Sequence, residues 1–334
     1  MVSIGVLGAG TWGMALSRML CNMGHEVQVW SALPEEIDHL AGGGSHPKLP
    51  YMVIPETMKY TKSVEEVCTG KDILLFAVPS VYVRGTTRQA APYIPDGQII
   101  VDVAKGIEPG TLFTLTQVIQ DEFGKCCPDK SIIPVALSGP THAEEVAVDL
   151  PTTIVAACAD FEVAKKVQSI FMNKKFRVYT NEDIHGVEIC GAFKNIIALG
   201  IGIARGLGYG DNSSAALMTR GITEVTRLGQ LMGCKAETFF GLAGIGDLIV
   251  TCTSTHSRNM TCGMLMGKGL KRDEAVKEVG MVVEGIYAIT AAMELKKRYD
   301  VELPICETVN LIVNHDVPVA EVENILMTRV GKSE

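Results

Sequence analysis

Val2-Ser3-Ile4-Gly5-Val6-Leu7 runs directly into Gly8-Ala9-Gly10-Thr11-Trp12-Gly13. The first six residues read as a strand, and the next six match G-x-G-x-x-G. A helical pattern follows at 12–23, and 27–30 reads as a second strand. In that setting each glycine has a physical task. Gly8 permits the tight turn, Gly10 lets the backbone approach a pyrophosphate, and Gly13 lets helix and strand pack closely. The helix start then directs unpaired N–H groups and its positive dipole end at the phosphates.

Outward from this unit, strand candidates recur at 73–78, 99–103, 132–137, 153–156 and 176–179, and a further helix at 161–171. Most of the strands are continuous apolar runs, as expected when both faces of a sheet are covered. Strands alternating with helices predict an α/β, doubly wound, mostly parallel sheet. After Thr180-Asn181-Glu182-Asp183 the pattern changes. Residues 187–206, 213–232 and 284–298 have helical periodicity, with glycine-rich interruptions at 206–211 and 241–247. The predicted organisation is therefore a dinucleotide-binding Rossmann-type domain at 1–183 and an all-α domain at 184–334.

Length and composition agree with two folded domains. The 334 residues are 47 % hydrophobic and 20 % charged, enough to bury a large core. Thirty basic against thirty-eight acidic residues give a net charge of -8, which argues against a nucleic-acid partner. Ten cysteines without C-x-x-C spacing read as reduced thiols, and the histidines lack ligand spacing, so no metal is expected. The chain opens on a strand rather than a basic, then apolar, leader, and it lacks an unbroken apolar run of about 18 residues. A cytoplasmic protein without a membrane span is expected.

Three further places carry candidate chemistry. In Glu188-Ile189-Cys190-Gly191-Ala192-Phe193-Lys194-Asn195, helical spacing puts Cys190, Gly191, Ile197 and Ala198 beside Lys194. Two readings stand. Burial would pull the lysine pKa down, as a general acid/base near neutral pH requires, or the stem simply covers core surface while the ammonium reaches water. Gly241–Asp247 is a glycine-rich turn ending in a carboxylate, and 251–259 packs hydroxyls, Arg258 and Asn259 before a helix-like stretch. That run reads either as an N-cap cluster or as an anion site. Lys105, and the loop Ser138-Gly139-Pro140-Thr141-His142-Ala143, follow strands at the edge where open sheets bind ligands. His142 reads as a loop or capping residue. Past the second strand stand Ala32 and Leu33, neither of them charged. Glu35 and Glu36 follow and read first as a solvated helix start, with the ribose 2′-OH as the other use.

Together, residues 8–13 with Thr11-Trp12, Ala104-Lys105-Gly106, Leu137-Ser138-Gly139-Pro140-Thr141, Gly191–Asn195, Leu242–Leu248, Ser257-Arg258-Asn259 and Val282-Val283-Glu284-Gly285 resemble the bacterial-type NAD(P)-dependent glycerol-3-phosphate dehydrogenase family. The resemblance covers nearly the whole chain. It implies an active site between the domains and reversible oxidation of sn-glycerol 3-phosphate to dihydroxyacetone phosphate, feeding phospholipid synthesis. It implies Lys194 as catalytic acid/base. Substrate positions are Lys105, Gly139, Thr141, Lys194, Asp247, Ser257, Arg258 and Asn259. Cofactor positions for NAD or NADP are Gly8, Gly10, Thr11, Trp12, Gly13, Lys105, Ala143, Arg258, Val282 and Glu284. Many relatives carry a basic pair where Ala32 and Leu33 stand, so the family pattern leaves the choice of cofactor open here; Lys48 is the remaining charge that would suit a 2′-phosphate. A homodimer is expected. Two rival readings are a 6-phosphogluconate or ketopantoate reductase relative and a non-catalytic dinucleotide sensor. The Ser257-Arg258-Asn259 run and the Lys105 loop argue against the first, and Lys194 on an apolar face argues against the second.

Overall fold

Ser3–Leu7 forms β1, the third strand across an eight-stranded sheet. The other strands are β2 (Glu26–Trp30), β3 (Lys59–Thr61), β4 (Ile73–Phe76), β5 (Gln98–Asp102), β6 (Ile132–Ser138), β7 (Thr152–Ala157) and β8 (Phe176–Asn181). Their order is β3-β2-β1-β4-β5-β6-β7-β8. All neighbours pair in parallel except β6 and β7. The order reverses direction beside β1, and such a switch point opens a crevice at the carboxyl ends of the strands. The computed structural model describes residues 1–334 apart from 319–320, 322–324 and 332–334.

Covered faces explain the apolar runs. Ile73 and Leu75 of β4 enter one core with Met14, Leu16 and Leu20 of the Thr11–Asn22 helix. Leu74 and Phe76 enter the opposite core with Val83, Ala90, Val118 and Phe123. The period of two thus feeds both faces. β3 is absent from the strand candidates because its Lys-Tyr-Thr sequence carries no apolar run and it sits at the sheet edge.

The chain divides into two units, Met1–Lys105 with Phe113–Ile184, and Gly106–Leu112 with His185–Glu334. The short segment 106–112 belongs to the second unit for a local reason. Ile107 is part of its core, and the Gly110 amide donates to Glu294 Oε2 at 3.1 Å.

The second unit is built on the Ile184–Gly206 helix. Ile189, Phe193, Ile196, Leu199 and Ile201 on it are all fully buried. Each such side chain contributes about 1.5–3 kcal/mol by leaving water. This helix and the 236–253 stretch are long and apolar enough to cross a membrane, but 94 % of the first one's most apolar window is buried in protein. Glycines bring a second helix, Arg258–Gly267, hard against it. A Cβ on Gly202 would lie 2.2 Å from the Met260 carbonyl oxygen, and one on Gly263 would lie 2.2 Å from that of Leu199. One turn further along, Gly206 and Gly267 meet in the same way, with 2.4 and 2.3 Å to Met264 and Ile203 oxygens.

The glycine-rich stretch before Asp247 is not the interruption its composition predicts. Leu242–Gly246 is a single π-helical turn that runs straight into the Asp247–Thr253 helix. A Cβ on Gly244 would lie 2.0 Å from the Phe239 oxygen, so the wide turn closes only around a glycine. Turns of this kind recur beside functional residues.

Candidate active site

In the first unit, the turn after β1 is shaped as its glycines predict. Gly8 has φ +126, and a Cβ there would lie 2.7 Å from the Ala77 oxygen. At Gly13 a Cβ would lie 2.2 Å from the Gly8 oxygen, so helix and turn touch backbone to backbone. Gly10 differs, because a Cβ there would meet nothing within 4 Å. Nothing in the protein demands a glycine at that place, and the space over the helix start is what a pyrophosphate needs. The helix begins at Thr11-Trp12, and Gly10 offers it no side-chain cap, so its first N–H groups suit an anion.

The carboxyl ends of β5 and β6 bring three candidates together. Lys105 Nζ donates to the Gly139 carbonyl at 3.2 Å, and Thr141 Oγ1 donates to the same oxygen at 3.1 Å. Gly139 holds φ +156 with Ile154 Cα 3.1 Å from where a Cβ would stand. Ala143 opens the short helix Ala143–Val146, with His142 at its N-cap.

At the end of β2 the structure corrects the sequence reading of Glu36. It is half-buried rather than solvated, and its Oε2 accepts from Ser31 Oγ at 2.6 Å. Nearby, His46 is buried, and its roles are fixed by its partners. The Lys48 amide can only donate, so it meets a bare Nδ1 at 3.3 Å, and Nε2–H donates to the Ala9 carbonyl at 3.2 Å. Burial pushes the His46 pKa down, which favours this neutral ring.

In the second unit, Lys194 is 7 % exposed and Asp247 0 %. Lys194 Nζ donates to Asp247 Oδ1 and to Thr251 Oγ1, the latter at 2.7 Å. Thr251 Oγ1 in turn donates to the Asp247 backbone oxygen at 2.7 Å. Of the two readings of Lys194, the one with its ammonium in water is thus excluded. Burial penalises the charge, and the carboxylate compensates it. Neighbouring Cys252 is no rival acid, since burial pushes its thiol up to about 12.

Next to this pair lies a relay of amides. Asn195 Nδ2 donates to the Gly191 oxygen at 3.3 Å, Asn259 Nδ2 donates to Asn195 Oδ1 at 2.9 Å, and the Gly285 amide donates to Asn259 Oδ1 at 2.8 Å. Ser257 caps the Arg258–Gly267 helix by accepting from the Met260 amide at 3.3 Å. Capping and anion binding therefore coexist as readings of this run, because Arg258 stays exposed at the helix start and donates to the Val282 oxygen at 3.1 Å. Glu284 opens the Glu284–Tyr299 helix two residues later.

Sequence reasoning quotes Thr251 and Asn195 within longer runs but does not place Thr251 on Lys194 or Asn195 on Asn259. Thr251 was findable, since Asp247 and Thr251 are four apart and share one helix face. Asn195 faces away from any partner in its own sequence neighbourhood except Gly191; its link to Asn259 spans 64 positions.

Comparisons with known proteins cover both halves of the chain. The family profile for the NAD-dependent glycerol-3-phosphate dehydrogenase N-terminus matches residues 3–164, and that for its C-terminus matches 183–324. The chain is 62 % identical to an NAD(P)-dependent glycerol-3-phosphate dehydrogenase of Lactobacillus delbrueckii subsp. bulgaricus, covering 100 % of this chain and 99 % of the relative. It is 50 % identical to one of Agathobacter rectalis, covering 100 % and 98 %. Among solved structures, the glycerol-3-phosphate dehydrogenase of Coxiella burnetii superposes with a TM-score of 0.93 at 35 % identity, over 98 % of this chain and 99 % of that one.

Proposed function

The chain belongs to the NAD-dependent glycerol-3-phosphate dehydrogenase family, and on that premise we propose how its residues perform reversible reduction of dihydroxyacetone phosphate to sn-glycerol 3-phosphate. It is an NAD(P)-dependent oxidoreductase. Gly8, Gly10 and Gly13, with Thr11 and Trp12 at the helix start, hold the pyrophosphate; the open space at Gly10 supports this. Lys105, Ala143, Arg258, Val282 and Glu284 complete the cofactor contacts. When bound, the nicotinamide supplies the hydride. Ser257, Arg258 and Asn259 hold the substrate phosphate, with a planar guanidinium fork against its oxygens. Lys105, Gly139 and Thr141 orient the remainder of the substrate.

Lys194 delivers a proton to the carbonyl oxygen as its carbon is reduced, and takes it back in the reverse direction. Asp247 compensates the ammonium form, and Thr251 fixes where Nζ stands. The buried Lys194–Asp247–Thr251 cluster is the observation that carries this reading. A surface lysine would not be matched to a fully buried carboxylate.

Cytoplasmic location is part of the proposal and is supported by ten free thiols. A homodimer and a place in glycerophospholipid synthesis rest on the family alone. The deciding experiment mixes purified protein with NADH or NADPH and dihydroxyacetone phosphate and follows loss of the reduced cofactor. Oxidation that stops when Lys194 is replaced by Ala, by roughly 10²–10⁴-fold, is expected. Equal rates in the two proteins would overturn the role given to Lys194.

A further inference from the structure

Ser31 directly follows Trp30, the last residue of β2, and the Trp30 carbonyl accepts from the Gly8 amide at 2.8 Å. Ser31 therefore stands beside the phosphate-cradling turn. Its hydroxyl is fixed in direction. It accepts from the Leu33 amide at 3.1 Å, so its proton is spent on Glu36 Oε2 at 2.6 Å. Glu36 lies in the first turn of the Pro34–Ala41 helix, whose amide dipoles also favour a carboxylate there. The result is an anion brought back from the helix to the carboxyl end of β2, with no hydrogen-bond donor on Oε1 among the described residues.

In sheets of this type the end of the second strand is where the adenosine ribose is read. A carboxylate accepts from the 2′-OH of NAD and repels the 2′-phosphate of NADP. We propose that Glu36, held by Ser31, is the ribose-reading residue of this chain and makes it prefer NAD(H) over NADP(H). Ser31 is a positioning residue. The inference rests on the dehydrogenase reading above and deepens it.

Lys48 is the opposing charge. Its amide is bound by His46, and both Glu36 and Lys48 act electrostatically on that ring, so carboxylate and ammonium share one neighbourhood. Geometry separates them: Glu36 is hydrogen-bonded to Ser31, the residue directly after β2, while the backbone amide of Lys48 donates to the His46 ring, whose Nε2 donates to the Ala9 carbonyl. Uncharged Ala32 and exposed Leu33 add nothing for a phosphate.

The test measures the Kd of NADH and of NADPH by quenching of tryptophan fluorescence, and kcat/KM for dihydroxyacetone phosphate reduction with saturating substrate and varied NADH or NADPH, in wild type, Glu36→Gln, Ser31→Ala and Lys48→Ala; the two ratios are expected to move together. Wild type is expected to favour NADH by roughly tenfold or more, the worth of one charge-assisted hydrogen bond. In Glu36→Gln the ratio collapses to within about fivefold, mainly through a lower KM for NADPH, since a neutral amide still accepts from the 2′-OH. Ser31→Ala moves the ratio the same way by less, and Lys48→Ala shifts it less than Glu36→Gln does. Wild type that uses NADPH as well as NADH overturns the assignment, as does an unchanged ratio in Glu36→Gln or a larger shift in Lys48→Ala. Absence of turnover with both cofactors takes down the dehydrogenase reading and this one with it, whereas turnover without preference sinks only Glu36. Equal melting temperatures of the four proteins confirm that the ratios compare folded chains.

Discussion

Replacing Asp247 with Ala removes the carboxylate that accepts from the buried Lys194 ammonium, which also donates to the Thr251 hydroxyl. Because the lysine is 7 % exposed and the carboxylate 0 %, water cannot readily take over the charge. Removing one partner from such a pair costs about 3–5 kcal/mol, against a total stability of about 5–15 kcal/mol for a domain. The second unit should lose cooperative folding at clearly lower denaturant. Both tryptophans, Trp12 and Trp30, belong to the first unit. Tryptophan fluorescence therefore reports the first unit, and far-UV circular dichroism adds the helical second one. In Asp247→Ala the dichroism transition should move down while the fluorescence transition moves far less. Lys194→Met also destabilises, by removing the ammonium that compensates the buried carboxylate. The double variant removes both charges, so its loss should fall short of the sum of the singles by about 2 kcal/mol or more. All three proteins should reduce dihydroxyacetone phosphate at rates lowered by roughly 10²–10⁴-fold. Strict additivity of the two stability losses would refute the claim that these groups compensate each other.

At saturating reduced cofactor, which takes up the second role given to Arg258, Arg258→Ala should lower kcat/KM for dihydroxyacetone phosphate by roughly 10–100-fold, the loss of a charge-assisted contact, while the slow reduction of unphosphorylated dihydroxyacetone changes little; equal losses on both substrates would remove Arg258 from the phosphate site. A separate expectation concerns pH. Burial pushes Glu224 up to about 7, although the Ile305 and Cys306 amides donate to its carboxylate. Its folded pKa is raised, so its contribution is complete below the ordinary 4.5 and is lost as pH rises through about 7. Across that window the wild type should lose up to about 3 kcal/mol relative to Glu224→Gln. Parallel melting-temperature profiles for the two proteins would show that Glu224 ionises as freely in the fold as outside it.

What was legible in the sequence is what short-range physics writes there. The turn at 8–13 is readable because Gly8 and Gly13 answer local needs and Gly10 completes the pattern, and the buried strands because both faces of each must be apolar. β3 was not, since an edge strand of three polar residues leaves no periodic trace. The site divides in the same way. Lys194 on an apolar face, and Asp247 at a glycine turn, could each be singled out. Their meeting could not, because it joins helices 53 positions apart and no residue between them encodes it. Glu36 illustrates the opposite error. A carboxylate in a first helical turn is ordinarily solvated, and only the hydroxyl of Ser31, five positions earlier, turns it inward.

The paired glycines at 202 and 263, and at 206 and 267, have a consequence for how this enzyme can change over time. Two helices that touch through backbone alone have no side chains between them to swap, so their separation is a caliper that evolution cannot easily reset. One jaw carries Lys194, and the other begins at Arg258 and Asn259. Surrounding core residues can change in size while the spacing between Lys194 and the start of the Arg258 helix keeps its setting.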